Sequence, residues 1–557
     1  MDCIHDPSID RSNGQIFCEK KIMGDKDMAN KCKLNLRHKE FYPIQGAGYE
    51  GFFRGYFYYE NQYVTHENFV DIVKEASSEE ITKWNGEFAL ILQTEDETTL
   101  VTDKKRTIPL FYSKHETNSW IVQDFIEPKP SMSIRKDSEE ELLLAGFVSG
   151  DKTLFDGWYQ LEVASIVHLK ENASKYCYYS YVTEKDQDSL DNFAEELAHI
   201  LHHIFDDLVE RLDGRKIILP LSGGYDSRIV ALLLKDKGLS DSIITFTYGR
   251  PGNGEATVSK QIADRLGLQW KYFAYDKAMW EELYKSKLWK DYVVYACNGT
   301  SVAHLQDFPS TKLLVEEEGL ENAVFIPGHS LDFLGGSHLP YEAILDKEFT
   351  SQEVVDFIIP KHFRLWQLEN GLSHTTSDIG KSVTKDVSSY KTLTNERVTS
   401  IIDEWNWKER QAKFIINSVR VYEYFDQDWT LPLWDDRLIY FFSKIPADLK
   451  YKKYLYDFAL HKMYPDFYPL PPKPGAENSL KNKYGVLYPL LRKVYRKRKL
   501  YRQYFEEPME WYGIYPTYKQ YKQSLSFKRN GTKYTHPYNI NAFIAKDMIQ
   551  MMKELAK

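Results

Sequence analysis

The chain has 557 residues, 43% of them hydrophobic, 27% charged and 15% aromatic. At roughly 150 residues per domain this length exceeds one core, and the composition excludes a disordered, collagen-like or coiled-coil chain. A net charge of -9 argues against whole-surface nucleic-acid binding, and no run of about twenty apolar residues marks a membrane span.

The first thirty residues are polar and acidic, without the basic-then-apolar order of a signal peptide. Residues 1–37 read as a polar extension. The cysteines Cys3, Cys18, Cys32, Cys177 and Cys297 form no CxxC pair and have no His at metal-ligand spacing, which predicts free thiols in a reducing cytoplasm. From about residue 38 to 185, short β-type runs such as Gly55–Tyr59, Phe88–Leu92 and Thr99–Thr102 alternate with polar turns. They predict an antiparallel, sheet-rich first domain.

A polar stretch at Glu184–Ser189 marks a boundary, and a helical period begins at Asn192 with Phe193, Leu197, Ile200, Leu201, Phe205 and Leu208. Strands then alternate with helices: Lys216–Leu221, Asp226–Lys237, Ser242–Tyr248, Glu255–Leu266 and Gln269–Tyr275. Gly238 and Gly267 stand where helix C-caps belong. The alternation predicts parallel crossovers and a doubly wound sheet over residues 186–483.

Within that alternation, Leu221-Ser222-Gly223-Gly224-Tyr225-Asp226-Ser227 follows a buried β run and opens an amphipathic helix. Such a turn brings backbone N–H groups and the positive end of a helix against phosphate oxygens, while Asp226 offers a hard oxygen to Mg²⁺. The lysine of a GxxxxGK[ST] loop is absent, so this is no Walker A site. The Ser-Gly-Gly-x-Asp-Ser segment resembles the pyrophosphate loop of ATP pyrophosphatases, and the chain around it is similar to the asparagine synthetase family. That resemblance implies ATP and Mg²⁺ as cofactors and an AMP-forming ligase that adenylates a carboxylate, aspartate or a related acid, and transfers ammonia or an amine to it.

The resemblance extends to Thr245–Gly249, where the family reads adenine with main-chain groups, which assigns Tyr248 to the nucleotide. It extends also to Ile326-Pro327-Gly328-His329-Ser330-Leu331-Asp332. There it implies that Asp332 shares Mg²⁺ with Asp226, with Pro327 and Gly328 beside the nucleotide. His329 replaces the family's Glu or Tyr, and its imidazole, titrating near neutrality, is a candidate base for the attacking amine; a loop hydrogen-bonder is the alternative. Leu431–Arg437, with Ile445-Pro446 and Lys450–Lys453 after it, resembles a further family segment that packs the core. For the family's charge-neutralising lysine the candidate is Lys473, with Lys481 and Lys483 competing.

Asn85–Leu90, Thr102–Arg106 and Pro109–Tyr112 resemble the family's N-terminal glutaminase domain, so the implied architecture is an Ntn-hydrolase-like α+β sandwich followed by the doubly wound ATP pyrophosphatase domain. Glutaminase chemistry needs an N-terminal cysteine with a free amine. The chain instead begins Met1-Asp2-Cys3, and Arg54-Gly55-Tyr56 stands in place of the Asn-Gly-Glu substrate loop. The domain therefore reads as inactive, with nitrogen coming from free ammonia, a separate ammonia-supplying glutaminase or an amine substrate. Residues 484–557 read as a basic and aromatic tail; Leu487–Phe505 carries Arg and Lys between apolar positions, a pattern for peripheral membrane contact or a solvated helix, with no nucleic acid expected. Two other readings stand beside the ligase: a degenerate nucleotide-binding or interaction protein, and a pyrophosphatase-type nucleotide- or sulfur-modifying enzyme, which the missing Cys pair disfavours.

Overall fold

A computed structural model describes residues 32–73, 77–114, 119–369, 371, 383, 392–475 and 498–557. The first part contains β1 (Lys33–Asn35), β2 (Tyr42–Gly46), β3 (Tyr49–Tyr59), β4 (Gln62–Val64), β5 (Asn85–Gln93), β6 (Thr98–Thr102), β7 (Phe111–Lys114), β8 (Trp120–Gln123), β9 (Trp158–Gln160), β10 (Ser165–Leu169) and β11 (Ala173–Cys177), with helices α1 (Phe69–Ile72), α2 (Ser78–Ile81) and α3 (Lys136–Ala145). One sheet runs β11-β10-β6-β5-β3-β2 with β4 on β3, the other β1-β8-β7-β9. Strand alternation explains their stacking: Ala89 and Ile91 of β5 join Val122 and Tyr112 in a core between the sheets, while Phe88 and Leu90 face the opposite way. On that outer face Phe57 stacks on Trp84 at 4.2 Å.

Two details depart from the sequence reading. The pairs are antiparallel except β1 with β8, which is parallel. Residues 33–35, expected within the loose extension, form that edge strand because Leu34 packs on the intersheet core.

The second part begins with α4 (Leu190–Leu212), whose N-cap Ser189 accepts from the Asn192 N–H. Then come β12 (Lys216–Pro220), α5 (Tyr225–Asp236), β13 (Ile243–Gly249), α6 (Gly254–Leu266), β14 (Gln269–Ala274), α7 (Lys277–Lys285), α8 (Lys287–Cys297), α9 (Phe308–Glu318), β15 (Ala323–Phe325) and α10 (Leu331–Leu334). β16 (Gln367–Leu368) belongs to a small separate sheet, and β17 (Asp428–Trp429) closes the large one. The order β14-β13-β12-β15-β17 is parallel throughout. The chain winds outward from β12 on one side and restarts on the other at β15. The order therefore reverses between β12 and β15, and the crevice at their carboxyl ends is where such folds place ligands.

Buried charges join the two parts. Arg54 of β3 donates to Glu423 at 2.8 Å, Glu423 also meets Arg420 at 2.6 Å, and Lys104 and Lys105 meet Asp436 at 2.7 and 3.1 Å. Burial alone would raise the Glu423 carboxyl, but Arg420 and Arg54 bring it down to about 2. Leu431, Leu433 and Trp434 are buried in this junction, and the Leu431 N–H donates to Glu87 at 2.8 Å.

From residue 498 onward the segment expected as a tail is part of the fold. β18 (Ser526–Arg529) and β19 (Thr532–Thr535) pair, and β19 also pairs with β16. The last helix, Ile540–Leu555, buries Phe543, Met548, Ile549 and Met552, and Ala542 accepts from Trp366 Nε1 at 2.7 Å. Apolar burial of this kind, worth roughly 25 cal/mol per Å², is the reason the aromatic run does not stand in solvent. Most of the expected basic amphipathic helix, residues 487–497, lies outside the described residues. No described helix is long and apolar enough to cross a membrane.

Candidate functional site

β12 delivers its chain to the crevice under tight control. The Leu221 N–H donates to the Phe246 carbonyl at 2.9 Å, and the Leu221 carbonyl accepts from Thr247 Oγ1 at 2.6 Å, so β13 holds the loop entrance on both sides. The Ser222 N–H donates to Ser227 Oγ at 3.0 Å, the two hydroxyls lie 2.9 Å apart, and the Gly224 N–H donates to Ser222 Oγ at 3.1 Å. Gly224 is the N-cap of α5, at φ -73° and ψ 173°, and no side chain caps the helix. Its first-turn N–H groups are thus available to an anion. Neither Gly223 nor Gly224 takes a left-handed conformation; they supply room, since a Cβ at 224 would stand 3.1 Å from Ser222 Oγ. Arg228 fixes the loop from behind, donating to the carbonyls of Gly223 at 2.9 Å and Phe467 at 2.6 Å.

The second motif arrives on β15 and lies against the first. A Cβ on Gly328 would fall 2.4 Å from Ser227 Cα and 2.5 Å from its nitrogen, so only glycine permits this backbone contact. Four residues on, the Asp332 N–H donates to Asp226 Oδ2 at 3.1 Å, while Asp226 Oδ1 accepts from the Tyr456 hydroxyl at 2.8 Å. Burial, and then the Asp332 charge, push the Asp226 carboxyl up to about 7. Two crowded carboxylates of this kind fit a divalent cation, whose charge relieves the repulsion that lifts Asp226. Among the described residues no group of three or more His, Cys, Asp or Glu is placed to hold a metal ion. A cation held here would complete its shell with water or phosphate oxygens, as Mg²⁺ commonly does.

His329 does not titrate near neutrality as expected. Its Nδ1 lies 3.1 Å from Ser330 Oγ and its Nε2 3.3 Å from Ser418 Oγ. Burial, with the nearby His304, pushes its pKa down to about 4. The imidazole is therefore neutral at pH 7 and a weak base, which matches the alternative of a loop hydrogen-bonder.

Tyr248 stands next to last in β13, but its hydroxyl is committed to the Asp307 carboxylate. Asp307 also accepts from the Tyr422 hydroxyl at 3.0 Å, lies 3.4 Å from His304 Nε2, and stays ionised although buried because these partners outweigh desolvation. Lys473 stands exposed after the helix Tyr454–Met463, and among the described residues no hydrogen bond or ion pair ties it to the loop. Lys481, Lys483, Cys3 and Cys18 lie outside the described residues. Of the remaining cysteines, Cys32 and Cys297 are buried thiols, pushed up to about 12 by burial, and Cys177 is an exposed thiol.

Sequence reasoning missed Tyr456, Asp307 and Arg228, which hold Asp226, Tyr248 and the loop. Tyr456 follows the Lys450–Lys453 run by three residues, but nothing in its spacing announces a bond to Asp226.

Residues 216–310, the loop and its two following βα units, match the family described as "Queuosine biosynthesis protein QueC". The C-terminal part of the chain carries an ATP pyrophosphatase-type domain. Over 55 residues the chain is 44% identical to the 7-cyano-7-deazaguanine synthase of Methanocaldococcus jannaschii, a match covering 10% of this chain and 24% of that protein. The chain thus spans about a quarter of that relative's length. Among solved structures, the NH3-dependent NAD synthetase from Campylobacter jejuni in complex with the nitrate ion is matched at 16% identity and a TM-score of 0.19, over 27% of this chain and 61% of that one. The family match to the ATP pyrophosphatase-type domain begins at residue 216, so it does not bear on the stacked sheets before it.

Proposed function

We propose that the chain is an ATP-dependent, AMP-forming enzyme that activates its substrate by adenylation at the Ser222–Ser227 loop. The observation that carries this reading is the meeting of Asp226 and Asp332 at the sheet crevice, through the Gly328 contact, with the Asp226 loop inside the segment, residues 216–310, that matches the QueC family. The loop amides and the α5 N-terminus would bind the phosphates that leave as pyrophosphate, and Asp226 and Asp332 would hold Mg²⁺. When bound, that ion neutralises charge on the departing pyrophosphate.

At the finer level we read an amide ligase of the asparagine synthetase type. A substrate carboxylate oxygen attacks the α-phosphorus and the α–β bridge oxygen leaves with pyrophosphate. An amine nitrogen then attacks the acyl carbon, AMP departs, and the nitrogen's proton passes to water, since His329 is too weakly basic to take it. The stacked sheets before residue 186 would be a glutaminase-like domain of Ntn-hydrolase type that no longer hydrolyses glutamine: Arg54, in the substrate-loop position, is saturated by Glu423 and Glu40. The nitrogen would then be free ammonia, ammonia from a separate enzyme, or an amine. A nucleotide-modifying reaction is the second reading, favoured by the match of residues 216–310.

AMP and pyrophosphate release from ATP and Mg²⁺ tests both, with aspartate and with carboxylated nucleobases as acceptors, and with ammonia or glutamine as nitrogen source. Acceptor-dependent AMP with ammonia, lost in Asp226→Asn, is the expected result. ADP in place of AMP would overturn the proposal, and support by glutamine would overturn the inactive glutaminase.

A further inference from the structure

Most buried cations of this chain have a carboxylate partner. Arg54 and Arg420 meet Glu423, Lys104 and Lys105 meet Asp436, Lys413 meets Glu409, and Lys450 meets Asp403. Three cations from separate elements break that pattern beside Asp332: among the described residues, Arg364, Arg410 and Lys499 form no ion pair.

Arg364 follows the helix Ser351–His362, Arg410 lies in the π-helical segment Trp407–Ile415, and Lys499 belongs to the helix 498–505. Tyr538 ties two of them together. Its N–H donates to the Leu365 carbonyl at 2.8 Å, and its hydroxyl accepts from Arg364 Nη2 at 2.9 Å. The Arg364 guanidinium lies 4.2 Å from the centroid of its ring and the Lys499 ammonium 5.3 Å. Arg410 is within electrostatic reach of Arg364, Tyr538 and Asp332; burial and then Arg364 lower its guanidinium, and Asp332 opposes them. Burial and Arg364 lower the Lys499 ammonium likewise. His362, 4.9 Å from the Trp405 ring, is held neutral by burial and by Arg410 and adds no charge.

Like charges held together without a counter-ion repel one another, and an anion among them recovers that cost. The π-helical backbone under Arg410 is a rare geometry that recurs at functional sites. The cation acting on Asp226 is Lys453, whereas Asp332 acts on Arg410, so the three cations lie on the Asp332 side of the acidic pair, away from the loop. Their charge suits a phosphate monoester better than a single carboxylate: it carries about -1.5 to -2 at pH 7 and offers three acceptor oxygens, which two guanidinium forks and an ammonium can share.

We propose that Arg364, Arg410 and Lys499 seat a phosphate monoester group of the acceptor substrate, separate from the phosphates of ATP. The inference rests on the adenylation reading above and narrows the acceptor to a phosphorylated molecule.

The test is calorimetric binding of O-phosphoserine to the full chain, with Mg²⁺ and with α,β-methylene-ATP, which cannot release pyrophosphate, filling the loop. Glutamate serves as the carboxylate counterpart. One charge-assisted hydrogen bond corresponds to about ten- to hundredfold in affinity. Arg364→Met, Arg410→Met and Lys499→Met are each expected to lose that factor for phosphoserine and to bind the ATP analogue within about twofold of the parent. Arg410→Lys, which keeps the charge, should lose less than Arg410→Met, and Lys287→Met, at an exposed position on α8, should lose nothing. Equal loss for phosphoserine and analogue would mean a structural role and would overturn the inference. Displacement of phosphoserine by the analogue would assign the three cations to ATP itself and overturn it too, as would glutamate binding as tightly as phosphoserine. If the unaltered chain does not bind the analogue, the adenylation reading fails and the inference falls with it; analogue binding without phosphoserine binding sinks the inference alone.

Discussion

Replacing Asp226 with Asn tests the acidic pair through stability, with no need of a substrate. In the folded chain burial and the Asp332 charge lift Asp226 from 3.8 to about 7. In the unfolded chain the same carboxyl ionises near its ordinary value of about 3.9. Between these two values the folded chain holds a proton that the unfolded chain has released, so stability falls as pH rises from about 4 to 7, and the full penalty remains above 7. At 1.36 kcal/mol per tenfold, the interval amounts to roughly 4 kcal/mol. Asn cannot ionise, yet its amide oxygen can accept from the Asp332 N–H in the Oδ2 position while its NH2 donates to the Tyr456 hydroxyl oxygen in the Oδ1 position. Scanning calorimetry from about pH 5 to pH 8, with chelator or with Mg²⁺, should show Asp226→Asn gaining a few degrees in Tm over the parent as pH rises, at roughly 1 °C per kcal/mol for a chain of this length. Mg²⁺ should remove most of that gain by stabilising the parent alone. Parallel pH curves for the two proteins would refute the crowded pair, and a parent whose Tm ignores Mg²⁺ would refute the cation site.

Gly328→Ala puts a Cβ into the backbone of Ser227; we expect a loss of about 3 kcal/mol and much weaker ATP binding, whereas Gly254→Ala, where a Cβ meets nothing within 4 Å, should leave ATP binding unchanged in the same titration. His329 is neutral from about pH 6 to 8 because its pKa lies near 4, so His329→Gln should keep the shape of the pH–rate profile over that range; an acidic limb, the rate falling as pH drops through about 6.5, that vanishes in the variant would restore His329 as the base. Arg54→Met leaves Glu423 with Arg420 as its remaining cation in a buried junction, a break worth about 3–5 kcal/mol, measurable by denaturant unfolding; a change below about 1 kcal/mol would show that the junction is not held by this pair.

The parallel sheet was legible because its strands are short apolar runs alternating with helices that glycines end, and the structure shifts the ends of the five predicted elements by at most one residue: Gln269–Tyr275, for example, becomes Gln269–Ala274. The pairing of Asp226 with Asp332 came from the resemblance of their two segments to family motifs, and the structure brings the Asp332 N–H onto Asp226 Oδ2. What could not be read were contacts made across long sequence separations without a local pattern. Tyr456 reaches Asp226 over 230 positions, and Asp307 gathers Tyr248 and Tyr422 from different elements. His329 misled because an imidazole's ordinary pKa was assumed, whereas burial, which sequence does not report, sets its charge. The C-terminal aromatics scatter irregularly because they fill gaps between existing elements, so no single period governs them.

Glu423 and its neighbour Tyr422 have a consequence for dissecting the molecule. Glu423 takes the guanidinium of Arg54 from the stacked sheets, and Tyr422 reaches Asp307, which holds Tyr248 at the mouth of the crevice. One turn of backbone thus relays the position of the first domain to the edge of the nucleotide crevice. Excising residues 186–557 would leave Asp436 without Lys104 and Lys105 and Glu423 with Arg420 but without Arg54, and so would loosen the tyrosine that borders the site. The stacked sheets act as a foundation for the crevice, a role that a mature N-terminal cysteine would neither add to nor remove.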